Sequence, residues 1–134
     1  FIGQARRLRK VMGGGMRQAG YLAAAGIYAL NHQVARLKED NEQARRIGGV
    51  LTQLSYVANV RPVQTNILIF DLKAGITATA FLYALQQEGV NASAFGPQTI
   101  RFVTHLDFTE EMMERVLSAL RSLEAKLPRT VIPN

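Results

Sequence analysis

The sequence predicts an α+β fold, in which long N-terminal helices precede a small, mainly antiparallel sheet of about three strands covered by helices. Two observations lead to this prediction. Apolar residues between positions 34 and 54 recur at spacings of three, four or seven with polar residues between them, which is typical of an amphipathic helix. Short apolar runs and helical patterns then follow in the order β, α, β, β, α, which suits a small two-layer unit.

The N-terminal quarter predicts two helices separated by a glycine loop. The first covers residues 2–12, and three consecutive glycines at 13–15 cost too much backbone entropy to lie inside a helix. The stretch from Arg17 to Leu30 is apolar nearly all round, which predicts a buried helix. These helices are too long and too apolar for the small unit alone, so we expect them to pack on something that this chain lacks.

The small unit is predicted from apolar runs, N-cap residues and turn residues. A threonine at the start of a helical pattern caps the first turn, and a glycine just beyond its end allows the chain to leave the helix. We predict strands at 66–70, 90–95 and 100–105, helices capped by Thr77 and Thr109, a helix end at Gly89, and a loose tail from Pro128.

The positive charge of the chain is concentrated at its start. Residues 1–38 hold seven basic and no acidic side chains, whereas residues 39–134 hold nine basic and ten acidic ones. Such a segment is compatible with nucleic-acid binding, a targeting peptide, a membrane surface, or a local anion site or interface. The absence of cysteine excludes disulfides, thiolate metal sites and a cysteine nucleophile, and two histidines alone disfavour a zinc site.

Two basic clusters are candidate anion sites. The glycine loop at 13–15, flanked by Lys10 and Arg17, runs into a helix, and this arrangement binds phosphate or carboxylate groups or else forms a flexible hinge beside surface cations. On the strand at 100–105, Arg101 lies among apolar residues, which indicates either a bidentate clamp on a carboxylate or a structural ion pair. The nearby His105 and Asp107 have no adjacent nucleophile, and a structural role is favoured for both.

Five stretches in this order resemble the low-specificity L-threonine aldolases, enzymes that depend on pyridoxal 5′-phosphate. The longest stretch, at 6–20, is similar to the segment that follows the cofactor lysine in that family. The resemblance extends over nearly the whole chain, from Phe1 to about Leu127. Its remaining stretches lie at 22–30, 65–66, 93–97 and 100–107.

The resemblance implies specific roles for three basic residues. Arg101 falls where the family holds the α-carboxylate of the substrate. Arg17 falls where an arginine reaches the cofactor phosphate of a neighbouring subunit, and Lys10 lies near the same phosphate. An arginine that serves a neighbouring site implies a homodimer or homotetramer, with an amino acid as the small-molecule partner and with neither nucleic acid nor membrane.

The resemblance also implies that this chain is a C-terminal portion of an α/β enzyme of the aspartate-aminotransferase type. Residues 1–33 would be the end of the large domain and the connecting helix, and residues 34–134 the small domain. The family's Schiff-base lysine lies upstream, in a Ser-Lys-Gly context, so no catalytic residue and no metal ligand are expected in this chain.

The implied activity is that of a cytoplasmic carbon–carbon lyase of amino acid metabolism. The complete enzyme would cleave L-threonine or L-allo-threonine to glycine and acetaldehyde, and this chain alone is expected to be inactive. The alternatives are another pyridoxal-phosphate lyase or aminotransferase of the same fold, and a non-catalytic basic binding module.

Overall fold

The computed structural model describes residues 1–127 of the 134-residue chain, and the chain divides into two compact units. The first unit is residues 1–35, and the second begins at Arg36. The predicted loose tail from Pro128 lies outside the described residues. The assignment of the two units to the end of a large domain and to a small domain stays a prediction.

The first unit consists of two helices joined by the glycine loop. Helix α1 spans Ile2–Val11 and helix α2 spans Gly20–His32, close to the predicted positions. The prediction that the second helix is buried is wrong for this chain, because neither helix has a buried residue. An apolar helix becomes buried only where another element covers it. None of the helices in the described part of the chain has the length and apolar character needed to cross a membrane.

In the described part of the second unit, four strands form an antiparallel sheet: β1 (Val57–Val60), β2 (Ile67–Leu72), β3 (Ser93–Ala94) and β4 (Thr99–Val103). Their order in the sheet is β1-β2-β4-β3. The sequence predicted about three strands and missed β1, a short edge strand, while the predicted strand at 90–95 is reduced to two residues. Strands β2 and β3 both run antiparallel to β4, so they are parallel to each other and β4 lies between them.

Three helices accompany this sheet, and the predicted caps begin two of them. The helices are α3 (Leu37–Leu51), α4 (Ala78–Gln87) and α5 (Glu110–Lys126). The Thr77 hydroxyl accepts a hydrogen bond from the backbone N–H of Ala80 at the start of α4, and the Thr109 hydroxyl accepts one from that of Met112 at the start of α5. Each bond satisfies a donor that a helix N-terminus otherwise leaves unpaired.

The core lies between the helices and one face of the sheet. In β2 the side chains at 68, 70 and 72 are buried while those at 69 and 71 are partly exposed, as the two-residue period of a strand requires. Phe70 is fully buried and meets the rings of Phe81 and Phe102 edge-on, with centroid separations of 5.7 and 5.3 Å. Edge-to-face contacts of this kind add to the stabilisation from burial. The second face of the sheet carries the remaining strand residues, including Arg101.

Candidate functional site

Arg101 lies in the middle of β4 and points away from the core. Its neighbours Ile100 and Phe102 are buried, so the alternation of a strand places Arg101 on the opposite face, as the sequence predicts. In the sheet it is paired with Ile69 on one side and Ser93 on the other. An inner strand therefore fixes the backbone from which the guanidinium extends.

Within residues 1–127, no hydrogen bond or ion pair holds the guanidinium of Arg101. Its Nε atom is buried and makes no hydrogen bond, and no acidic side chain within residues 1–127 pairs with it. The ring of Phe95 lies 5.8 Å from Cζ, within the range of a cation–π contact. A buried donor without an acceptor is costly, so this geometry favours an anionic ligand over a structural ion pair.

Hydrogen bonds secure the end of β4 just beyond Arg101. Thr104 is buried, and its hydroxyl donates to the backbone oxygen of Asp40 in α3 at 2.6 Å. The backbone N–H of Thr104 donates to the oxygen of Asn66, whose side-chain amide donates back to the Thr104 oxygen at 2.7 Å. These bonds join β4 to the start of β2 and to α3, so they restrict the position of the strand that carries Arg101.

A cavity of about 440 Å³ opens beside Arg101. It is lined by the segment from Gly89 to Ser93, by the end of β4 and by one side of α5. Its charged side chains are Arg101 and Arg115, and His105 also faces it. None of the described residues that line it is acidic, so the charged side chains of the lining are all basic.

His105 takes part in a local turn. Its Nδ1 atom accepts a hydrogen bond from the backbone N–H of Asp107 at 3.2 Å, and the Asp107 carboxylate lies 3.8 Å from the same nitrogen. Both side chains are mostly exposed. Because Nδ1 of His105 accepts this hydrogen bond within the turn, the geometry is consistent with a structural role for His105 and Asp107.

In the first unit, the glycine loop brings the Lys10 side chain onto its backbone. A Cβ atom at Gly15 would lie 2.8 Å from Lys10 Cδ and 3.0 Å from Nζ, so a side chain at this position would displace the flexible Lys10 side chain. Arg17 follows the loop, and both basic side chains are exposed. No acidic residue occurs in residues 1–35, so neither cation has a partner within its own unit.

The chemistry of these donors suits anions. Lysine and arginine beside glycine backbone suit a phosphate group, and a guanidinium with an unpaired, buried N–H suits a carboxylate. Among the described residues no group of three or more His, Asp or Glu side chains is placed to hold a metal ion. Lys10 and Arg17 belong to the first unit and Arg101 to the second.

Comparison with known families decides the class of protein. A family model for beta-eliminating lyases matches residues 1–93. The chain belongs to the beta-eliminating lyase family.

Relatives within this lyase class confirm the resemblance to the threonine aldolases. The low specificity L-threonine aldolase of Escherichia coli K12 is 39% identical over 127 residues, which cover 94% of this chain and 36% of the relative. A probable low-specificity L-threonine aldolase of Arabidopsis thaliana is 36% identical over 126 residues, which cover 92% and 36%. The chain thus spans about 36% of the length of these relatives.

Solved structures confirm the α+β fold of the chain. A structure titled as a transaminase with L-ala matches with a TM-score of 0.61 and 20% identity, covering 90% of this chain and 33% of that one. A decarboxylase from Sulfurospirillum multivorans matches with a TM-score of 0.61 and 19% identity, covering 88% and 36%. At these identities the likeness establishes the fold alone.

Sequence reasoning did not single out Arg115, which lines the cavity in the structure. An arginine on the polar side of an amphipathic helix is ordinarily solvated, so its position in α5 gives no signal. The structure places its guanidinium over the backbone of Gly89, where an added Cβ atom would lie 2.5 Å from Nη2. The sequence predicts that Gly89 ends a helix. The contact between Gly89 and the Arg115 guanidinium could not be predicted, because it depends on how α5 packs beside this turn.

Proposed function

We propose that this chain is the C-terminal part of a pyridoxal-phosphate-dependent threonine aldolase. The complete enzyme would cleave L-threonine or L-allo-threonine to glycine and acetaldehyde. The observation that supports this most directly is the unpartnered guanidinium of Arg101, held on an inner strand beside a cavity without acidic residues. The aldolase relatives, which match 94% and 92% of this chain, support the substrate class.

Arg101 would bind the α-carboxylate of the amino acid. A guanidinium donates two parallel hydrogen bonds to a carboxylate, which fixes both the position and the plane of the substrate. Phe95 restrains the guanidinium, and the hydrogen bonds of Thr104 restrain its strand. Such pre-positioning keeps the reacting bond in a fixed orientation and lowers the entropic part of the barrier.

Lys10 and Arg17 would bind the phosphate of the cofactor. The donor set fits this group, because two cations flank glycine backbone in a unit without acidic residues. When bound, pyridoxal phosphate supplies an electron sink for the bond that breaks. In this proposal Arg17 serves a neighbouring subunit, so the working enzyme is a homodimer or homotetramer.

The domain assignment follows from the same proposal. Residues 1–33 complete a large domain and residues 34–134 form the small domain, while the cofactor-binding lysine belongs to the upstream part of the enzyme. The isolated chain is then inactive. The net positive charge suits two anions, the phosphate of the cofactor and the carboxylate of the substrate. Neither nucleic acid nor a membrane is therefore needed as a partner. We place the complete enzyme in the cytoplasm.

A second lyase reaction is the main alternative. The family model describes beta-eliminating lyases, and β-elimination from threonine would release ammonia and a keto acid instead of glycine and acetaldehyde. An aminotransferase would instead need a keto-acid acceptor. A non-catalytic basic binding module would retain DNA at near-physiological salt and lose it as salt rises.

A chimera tests the proposed reaction. This chain would replace the matching C-terminal part of the E. coli aldolase, and the products from L-threonine would be quantified after adding pyridoxal phosphate. We expect glycine and acetaldehyde in equal amounts, and none from this chain alone. Ammonia with a keto acid as the products would establish the β-elimination alternative.

Two variants of the chimera test Arg101. Arg101→Gln removes the charge and should lower kcat/KM by about 100-fold, the scale of a lost charge-assisted hydrogen-bond pair. Arg101→Lys keeps the charge but not the bidentate geometry and should lie between Arg101→Gln and the parent. Retention of pyridoxal-phosphate absorbance separates a folded, inactive chimera from a misfolded one. An Arg101→Gln chimera with full activity would contradict the carboxylate role.

A further inference from the structure

Asp71 lies on the same face of the sheet as Arg101, yet its carboxylate pairs with other groups. In the pairing of β2 with β4, Ile69 lies opposite Arg101, and Asp71 lies opposite Thr99 two residues further along each strand. Side chains two residues apart on a strand share a face, so Asp71 is a diagonal neighbour of Arg101, at a separation of about 7–8 Å that long side chains span. Asp71 is also the single acidic residue in the four described strands. The Nε atom of Arg101 is nevertheless buried without an acceptor.

Two groups hold the Asp71 carboxylate. The Thr99 hydroxyl donates a hydrogen bond to Asp71 Oδ1 at 2.7 Å. Nη2 of Arg61 lies 3.8 Å from the same oxygen. The Asp71 side chain is 33% exposed, so solvent screens its attraction to Arg61 only in part. Both contacts draw the carboxylate toward positions other than that of Arg101.

The backbone places Arg61 in the same row of the sheet as Arg101. The N–H of Arg61 donates to the oxygen of Ile69 at 2.9 Å, which extends the pairing of β1 with β2 by one residue. Val60 packs against the core, so strand alternation turns Arg61 to the opposite face. Pro62 favours the extended backbone at Arg61 that this pairing needs. Ile69 therefore separates Arg61 from Arg101 across the sheet by two strand spacings, about 10 Å.

We propose that Arg61 is a positioning residue that, together with Thr99, keeps the Asp71 carboxylate away from Arg101, so that the Arg101 guanidinium stays available for the carboxylate of a ligand. The proposal rests on the proposed function in one respect, the use of Arg101 as a carboxylate ligand. Without Arg61, the Asp71 carboxylate loses one partner and becomes an acceptor for the unbonded Nε–H of Arg101. Asp71 would then compete with the ligand from within the chain.

The first measurement needs no ligand. It follows the nuclear magnetic resonance signal of the Arg101 Nε–H in the full chain, identified as the signal that Arg101→Gln removes. We expect Arg61→Gln to shift this signal downfield and to slow its exchange with water, because the Nε–H then donates to Asp71. Adding Asp71→Ala should reverse both changes, and Arg61→Lys, which keeps a cation beside Asp71, should leave the signal as in the parent. An unchanged signal in Arg61→Gln overturns the proposal.

The second measurement is a titration of the full chain with acetate at fixed ionic strength. Arg61→Gln should weaken acetate binding about five-fold, the scale of one solvent-accessible ion pair. Asp71→Ala should restore this loss in the Arg61→Gln background but change the affinity of the parent chain by less than about two-fold, because only coupled residues depart from additivity. If Asp71→Ala changes the affinity by the same factor in both backgrounds, Arg61 acts through its charge alone and the proposal is overturned.

Arg45→Gln is the matched control. Arg45 also pairs with a carboxylate, that of Glu42 at 3.1 Å, but both side chains belong to α3 and lie outside the sheet. Its substitution should change neither the Arg101 signal nor the acetate affinity, and equal effects of Arg45→Gln and Arg61→Gln would overturn the proposal. Acetate binding that survives Arg101→Gln contradicts the proposed function instead, so the two failures are distinguishable.

Discussion

Replacing Thr104 by valine removes a buried hydroxyl at the end of the strand that carries Arg101. The hydroxyl donates to the Asp40 oxygen at 2.6 Å, and the side chain is only 2% exposed. Valine has nearly the same shape, so the change leaves packing intact and deletes one donor. Because Asp40 lies within α3, its carbonyl keeps its helical hydrogen bond and loses only the second one.

The expected cost follows from this geometry. One intramolecular hydrogen bond contributes about 1 kcal/mol net to the free energy of unfolding. The Asp40 carbonyl keeps its helical hydrogen bond in the variant, so it does not incur the further cost of a buried acceptor that has no donor. For a unit of about 100 residues, a loss of about 1 kcal/mol lowers the melting temperature by about 4–8 °C. The chain has no tryptophan, so far-UV circular dichroism is the appropriate probe of thermal and urea unfolding.

Thr52→Val provides the matched control. The Thr52 hydroxyl also donates to a backbone oxygen, that of Gly49, at 2.8 Å, but in an exposed position where water can replace it. Its substitution should change the unfolding free energy by less than about 0.5 kcal/mol. Equal stability of the two valine variants would refute the reasoning, since burial would then make no difference to the lost hydrogen bond.

Three further substitutions test other contacts of the second unit. Gly89→Ala places a Cβ atom at a residue with φ +76° and 2.5 Å from Arg115 Nη2. The left-handed backbone conformation should lower the free energy of unfolding by about 1–2 kcal/mol, measured by thermal unfolding. An unchanged melting temperature would argue against this turn. Thr77→Ala removes the N-cap of α4 and should cost about 1 kcal/mol, and a neutral effect would contradict the cap. Burial raises the pKa of Tyr56, whose hydroxyl donates to the Leu120 oxygen, above its ordinary value. Ionisation therefore favours the unfolded chain, and stability that is constant at lower pH should fall above about pH 10. Tyr56→Phe should lower the free energy of unfolding by about 1 kcal/mol at neutral pH and should reduce the loss of stability at high pH. If the variant loses stability with pH as steeply as the parent, another group causes the loss.

Elements with both a clear period and clear end signals could be predicted from the sequence. Helices α4 and α5 begin where Thr77 and Thr109 cap them, because a cap is a local interaction between residues three apart. Strand β1 was missed because its four residues include Asn59, which has low strand propensity, and because its pairing with β2 is a tertiary contact.

The burial of a helix and the composition of a site depend on more than local pattern. The apolar character of α2 indicates a helix that packs against another surface, but sequence periodicity does not identify that surface, and in this chain α2 is exposed. Arg101 could be predicted, since strand alternation alone places it opposite its buried neighbours. Arg115 could not, because it reaches the cavity only through the packing of α5 beside the turn at Gly89.

The position of β4 between β2 and β3 has a consequence for the order of folding. Strands β2 and β3 are parallel to each other and do not pair, so the chain can form β2, α4 and β3 without completing the sheet. When β4 enters between them, β3 gains its partner and β2, which already pairs with β1, gains its second one. The pairing of β4 with β2 closes a loop around α4, which costs chain entropy before any contact compensates. The segment that carries the carboxylate-binding arginine is thus the one whose arrival completes the sheet, and a chain that has not folded fully has no ordered Arg101.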